Sequence, residues 1–418
     1  MNLLIKSAKI VDSQSEYNGK IVDILIENGS ISEIAQSIEK SDFEILELDD
    51  LHVSPGWFDT SVSFGEPGYE DRETIENGLK TAAKSGFTAV ALNPNCSPKV
   101  DNKSLVEFLI NKANNSSVSL YPIGNLTHGG EGKDISEMFD MKNSGAIAFG
   151  DYMRPISNPN LMKIALQYAQ NFNGLIMSYP EDTSIARDGL VNEGESSIKL
   201  GLKGIPALAE ELQIQRDLFL LEYTGGKLHI PTISTKKSLE LIKAAKDKGL
   251  QVTCSVSAHH LTLTDLELAS FDSNVKIKPP LRTKTDTEAL IAGVESGVID
   301  VITSDHNPID IENKKLEFNF AKFGTIGLES LFGALNSEIK LEKLIECLTV
   351  NSRKVFNLSE NKIELNQKAN LTFFTPKGNW TFEQKDILST SKNGIFLGKE
   401  MNGKVYGTLT NSTLTLNK

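Results

Sequence analysis

A net charge of −12 over 418 residues argues against a polyanionic partner, because nucleic-acid binding rests on clustered Lys and Arg that neutralise phosphates. With 39% hydrophobic and 23% charged residues, and no apolar run near the ~18 residues a membrane span needs, the composition points to a soluble globular chain with a large core. Cys96, Cys254 and Cys347 lie too far apart for a disulfide framework or a Cys-x-x-Cys zinc knuckle, and Met1 to Lys6 carries no cationic stretch ahead of an apolar core; reduced thiols, no signal peptide and a cytoplasmic location are expected.

The first fifty residues read as short strands. Leu4-Ile5-Lys6, Lys9-Ile10-Val11, Ile21 to Ile26, Gly29 to Ile34 and Glu44 to Leu48 are separated by polar turns, and Glu27-Asn28-Gly29 is a hairpin signal. The tail after about Asn361 repeats this style in Asn370 to Phe374, Gly394 to Leu397 and Lys404 to Gly407. The two chain ends, 1–52 and 362–418, are therefore expected to form one small β-sandwich domain around a large insert, 53–361.

Within the insert the period changes. Apolar runs of four to six residues alternate with helical segments at Glu73 to Ser85, Lys103 to Asn114, Asn160 to Phe172, Ile205 to Leu221, Lys236 to Lys248 and Thr287 to Ser296. That alternation predicts parallel βα units. Eight strands are expected near Trp57-Val62, Thr88-Leu92, Ser119-Ile123, Ala146-Phe149, Leu175-Ser178, Lys227-Ile230, Val252-Ser257 and Val301-Asp305. Eight units make a (β/α)8 TIM barrel, whose chemistry sits at the C-terminal strand ends. A doubly wound sheet would carry a Gly-rich phosphate turn after its first strand, and none is present.

The strand ends carry a family resemblance. Ser54-Pro55-Gly56-Trp57-Phe58-Asp59-Thr60-Ser61-Val62-Ser63-Phe64-Gly65 looks like the first barrel strand of the amidohydrolase superfamily, and Glu66-Pro67-Gly68-Tyr69-Glu70 narrows the likeness to class I dihydroorotases. Asn93-Pro94-Asn95-Cys96-Ser97-Pro98 resembles that family's Met-Pro-Asn-Thr-x-Pro, Gly150-Asp151-Tyr152 its paired aspartates, and Ser178-Tyr179-Pro180-Glu181-Asp182 its His-x-Glu-Asp region. His229-Ile230-Pro231-Thr232-Ile233-Ser234-Thr235 is similar to His-x-x-His-Val-Ser-Thr, Ala258-His259-His260-Leu261 to Pro-His-His-Leu, and Lys278-Pro279-Pro280-Leu281-Arg282 to Asn-Pro-Pro-Leu-Arg. Thr303-Ser304-Asp305-His306 resembles the family's Thr-Asp-His segment, and the likeness runs on through Lys322 to Glu329 and Asn351-Ser352-Arg353.

The resemblance implies a binuclear zinc site that acidifies water to open or close a six-membered cyclic amide. It implies histidine ligands at 61, 63, 178 and 232 and an acidic ligand near 151 and 152. Ser61, Ser63, Ser178, Thr232 and Tyr152 stand there instead, and a hydroxyl is a poor zinc ligand. Asp305 matches the catalytic aspartate and Asn95 a substrate-binding asparagine, whereas Gly65, Lys278 and Ile309 replace other substrate contacts. Asp151 is the one remaining carboxylate expected to face the site, and His229 reads as a hydrogen-bonded core histidine.

Three readings follow. The favoured one is a metal-free, non-catalytic homologue, with Asp305 vestigial. Its loops Glu66-Pro67-Gly68, Pro279-Pro280-Leu281-Arg282 and Gly324-Thr325-Ile326-Gly327 would serve an interface in a homo- or hetero-oligomer. The partner that the resemblance suggests is aspartate carbamoyltransferase. The second is an active hydrolase whose metal site has moved, with His128, His259, His260, Asp305 and His306 as candidates. The third is a small-anion binding module using Asn95, Lys278 and Arg154.

Overall fold

The computed structural model describes residues 1–417. Eight parallel strands run in chain order around one sheet: Trp57–Val62, Phe87–Leu92, Ser119–Gly124, Ala148–Phe149, Ile176–Met177, Leu228–Ile230, Val252–Ser257 and Val301–Thr303. The last closes on the first through the Val62–His306 bridge and the Ser63 N–H donated to the His306 carbonyl at 2.7 Å. The barrel is the expected one, and its first two strands are buried along their whole length, as parallel strands covered on both faces must be.

The intervening helices begin where short polar side chains can accept from freed backbone N–H groups. Thr74 caps Ile75–Lys84, Asn102 caps Lys103–Ala113, Asn158 caps Pro159–Ala169, and Thr235 caps Lys236–Asp247. Thr283 and Asp286 form a reciprocal capping box on Lys284–Glu295. After the first helix the chain turns at Gly86, φ +96°, where an added Cβ would lie 2.7 Å from the Trp57 ring. Only glycine fits that turn.

Trp57 also joins the barrel to the rest of the molecule. Its ring packs against Phe87, Phe332 and Phe374, with centroids 5.2–5.9 Å apart, and its Nε1 donates to Ser54 Oγ at 2.9 Å. Phe374 belongs to the strand Leu371–Thr381, which pairs antiparallel with His52–Pro55. That pairing places both chain ends in one continuous sheet with Leu3–Ile10, Ile21–Glu27, Ser30–Ala35, Glu44–Leu46, Glu400–Thr410 and Thr413–Leu416.

Leu4-Ile5-Lys6 and Lys9-Ile10-Val11 prove to be parts of one irregular strand, broken in register at Ser7, whose φ is +52°. The hairpin stands at Asn28 and Gly29, both at positive φ as a two-residue turn requires. Gly394 to Leu397, expected as a strand, makes only the single Ile326–Gly394 bridge. Its apolar residues Ile395 and Phe396 are buried in a satellite cluster, so packing rather than pairing explains the pattern. Among the described residues no helix is long and apolar enough to cross a membrane.

Candidate functional site

At the C-terminal mouth of the barrel, side chains from four strand ends form one hydrogen-bonded chain. Asn93 Nδ2 donates to Ser61 Oγ at 3.0 Å and lies 3.4 Å from Ser63 Oγ. Ser61 Oγ donates to Asp305 Oδ1 at 3.0 Å, and the Tyr152 hydroxyl reaches the same oxygen at 3.3 Å. Asp59 lies beneath, accepting from the backbone of Ser61 and Ser304 at 3.1 Å and from the Thr303 hydroxyl.

The electrostatics follow from burial. Loss of water pushes the Asp305 carboxyl up to about 7; the Ser61 hydrogen bond pulls the other way, and the Asp59 charge adds to the rise. Burial likewise raises Asp59 and lifts the phenols of Tyr152 and Tyr179 well above their ordinary value. The network is thus built from neutral donors around one carboxyl whose ionisation burial opposes. The cavity it leaves, bordered by Ser61, Asn93, Tyr152, Tyr179 and Thr232, has a volume of about 20 Å³. That holds about one water.

Several residues stand elsewhere than the sequence implies. Ser178 does not border the cavity: its hydroxyl donates to Asp217 Oδ2 at 2.5 Å, on the helix Ala207–Thr224. Its neighbour Tyr179 faces the mouth instead. Asp151 lines the mouth with both oxygens already engaged: Oδ1 accepts from Asn125 Nδ2 (3.0 Å) and the Leu126 and Thr127 N–H groups (3.0 and 3.2 Å), and Oδ2 from the Thr127 hydroxyl. Lys278 pairs with Glu181 at 2.8 Å. Asn95 is half-buried, with Nδ2 3.4 Å from Asn307 Oδ1. Gly65 takes φ +97°, where a Cβ would lie 2.6 Å from the Tyr69 carbonyl, so this backbone has no room for the arginine that the resemblance implies there.

The candidate relocated metal ligands do not assemble. His260 is held between Ser257 Oγ (2.6 Å) and the Pro279 and Pro280 carbonyls, His306 Nδ1 accepts from Gly327 N–H at 3.2 Å, and His128 is exposed beside Asp101. Burial pushes His259, His260 and His306 below their ordinary value, the latter two to about 4. His229 bridges Thr253 and Ser255 as a core histidine, pushed down to about 3. Among the described residues, no three His, Cys, Asp or Glu side chains come together as metal donors.

The model of the dihydro-orotase-like family matches residues 52–238. A dihydroorotase of Acetivibrio thermocellus is 38% identical over 421 residues, covering 99% of each chain, and one of Geobacter metallireducens is 38% identical over 416 residues, covering 98% of each. The chain belongs to the dihydroorotase family. Its fold is also that of the L-hydantoinase (dihydropyrimidinase) from Arthrobacter aurescens, with a TM-score of 0.88 over 100% of this chain and 96% of the other, at 20% identity.

This dihydroorotase-family chain does not fit the two zinc ions that the resemblance implies. Ser61 and Thr232 offer hydroxyls, Asn93 Nδ2 already donates to Ser61 Oγ, and Tyr152 and Tyr179 keep their protons. Zinc needs thiolate, imidazole or carboxylate donors. Sequence reasoning missed one member of this network, Asn93, and one residue that borders its cavity, Tyr179. Asn93 was legible as a polar residue where the family has methionine. Tyr179 was legible from spacing: His-x-Glu-Asp, counted back from Glu181-Asp182, lands on Tyr179 rather than Ser178.

Proposed function

We propose that this chain is a metal-free dihydroorotase homologue without turnover, retained in pyrimidine biosynthesis as a structural partner of aspartate carbamoyltransferase. The observation that carries the reading is the hydrogen-bonded network of Asn93, Ser61, Tyr152 and Asp305 across the barrel mouth, which holds no imidazole. An amide is too poor an electrophile for unaided water at neutral pH, and Asp305 has no acidified water to deprotonate. The cavity directly over Ser61 and Thr232 holds about one water, less than a six-membered ring occupies.

Dihydroorotate turnover is therefore expected at background, and protein purified without added zinc should hold far less than one zinc per chain. A rate that survives repurification and falls in Asp305→Ala, or two tightly held zinc ions by elemental analysis, refutes this.

The partner role is supported by the resemblance and by an exposed apolar stripe. Leu208, Leu212, Phe219 and Tyr223 are exposed on the helix Ala207–Thr224. Spacings of four, seven and four residues put them on one face. Four large apolar side chains exposed along one helix face mark a candidate association site. Co-expression with the carbamoyltransferase of the same cell should give one co-eluting assembly on size exclusion, broken by Phe219→Glu. Separate elution at micromolar concentration, with a carbamoyltransferase fully active alone, removes the partner role.

A further inference from the structure

Beside the closed mouth lies a second cavity of about 220 Å³, bordered by Tyr69, Arg72, Asn95, Lys99, Asn125 and Arg154. Its three cations come from three different loops, those after the first, second and fourth barrel strands. Arg72 is nine-tenths buried, with its guanidinium stacked on the Tyr69 ring at 4.2 Å. Its Nε forms an ion pair with Asp310 Oδ2 at 3.4 Å but makes no hydrogen bond, and its guanidinium still borders the cavity. Arg154 gives one Nη1 hydrogen bond to the Gly130 carbonyl at 3.1 Å. Among the described residues neither Arg154 nor Lys99 has a carboxylate within 4.0 Å.

The one acid on the cavity wall is Asp151, and its oxygens are taken up by four donors from residues 125–127. Three like charges around a recess repel one another: burial lowers the Lys99 ammonium first, and Arg154 and Arg72 act in the same direction against the opposing pull of Cys96 and Asp151. An anion placed among them removes that repulsion. Two guanidinium forks and an ammonium converging from separate loops match the several acceptor oxygens of a phosphoryl group better than the single plane of a carboxylate.

We propose that this cavity binds a phosphoryl dianion, as inorganic phosphate or a small phosphate monoester, through Arg72, Lys99 and Arg154. The site does not include Lys278, whose charge is spent on Glu181, and it stands independently of the partner role.

Isothermal titration of the full-length chain with sodium phosphate, and separately with methyl phosphate, tests this against sodium chloride at matched ionic strength. One saturable site per chain is expected. Arg154→Ala and Lys99→Met should each weaken it by about tenfold or more, the scale of a lost charge-assisted contact. Lys80→Ala, which removes an exposed cation paired with Glu76, should leave it unchanged. Phosphate should also raise the melting temperature of the wild type more than that of either cavity variant. A saturable response to methyl phosphate as well as phosphate points to an ester, and a response to phosphate alone to the free ion. No saturable binding, or binding equal in wild type and both cavity variants, overturns the proposal.

Discussion

Arg282→Met is expected to destabilise the chain by about 3–5 kcal/mol, the scale of breaking a buried ion pair from one side. Arg282 is 3% exposed. Its Nε donates to Ser234 Oγ at 3.0 Å, and its Nη1 to Asn192 Oδ1 at 2.9 Å and to the Ile205 carbonyl at 2.8 Å. Its Nη2 lies 3.8 Å from Glu210 Oε2, and Glu210 in turn accepts from the Ser234 and Thr235 N–H groups at 2.8 and 3.1 Å. One guanidinium thus ties the segments after the fifth, sixth and seventh barrel strands together. Methionine preserves much of the volume but leaves Glu210 buried with its charge unpaired, and takes a donor from each of three acceptors. Denaturant unfolding should show a lower midpoint with an unchanged slope. Arg282→Lys should fall between, because an ammonium keeps the charge and loses the fork. A loss under about 1 kcal/mol in Arg282→Met would show that the brace is not what holds these loops.

Asp305→Asn is expected to stabilise the protein above neutral pH and to change little in acid. The sign follows from a carboxyl raised from 3.8 to about 7 by burial. Below about pH 4 both folded and unfolded states hold the proton, and the contribution of the protonated carboxyl is fully present. Between about 4 and 7 the unfolded chain releases its proton while the folded chain keeps it, so that contribution is lost as pH rises through the folded value. Above 7 the folded chain carries a buried charge facing only Ser61 and Tyr152 as donors. The span from 3.8 to about 7, at about 1.36 kcal/mol per pH unit, sets a scale of about 4 kcal/mol. Asparagine accepts the same two hydrogen bonds without the charge. Unfolding at pH 4 and pH 8 decides the matter. A variant less stable than wild type at pH 8, or a difference that does not move with pH, would falsify this reading of the site.

The retained loop motifs, read from sequence as interface features, have structural work in the fold. Arg282 is the brace described above. Gly327 lies so close to Ser304 that a Cβ would meet its carbonyl at 2.4 Å, and Thr325 Oγ1 bonds the Asn393 carbonyl at 3.0 Å and accepts from Ile395 N–H at 2.9 Å. Glu66 accepts from Ile75 N–H at 2.8 Å at the start of a barrel helix. Turn geometry and loop bracing explain these residues without a partner. The stripe on the helix Ala207–Thr224 is the better place to look for one.

Sequence alone determined the barrel, the joining of the chain ends and the hydroxyls at 61, 63 and 232. The first two rest on hydrophobic period, a local property that changes from about 2 to about 3.6 between strand and helix. The third rests on residue type, since no neighbour turns a serine into an imidazole. Tertiary structure alone decided what those hydroxyls do, where Asp151 and Ser178 point, and that Arg72 and Lys99 join Arg154 at one recess. Ser61 meets Asp305 across 244 positions and Arg282 meets Asn192 across 90. A polar side chain takes whichever partner the barrel brings within about 3 Å, and that choice is written in no local stretch of the chain.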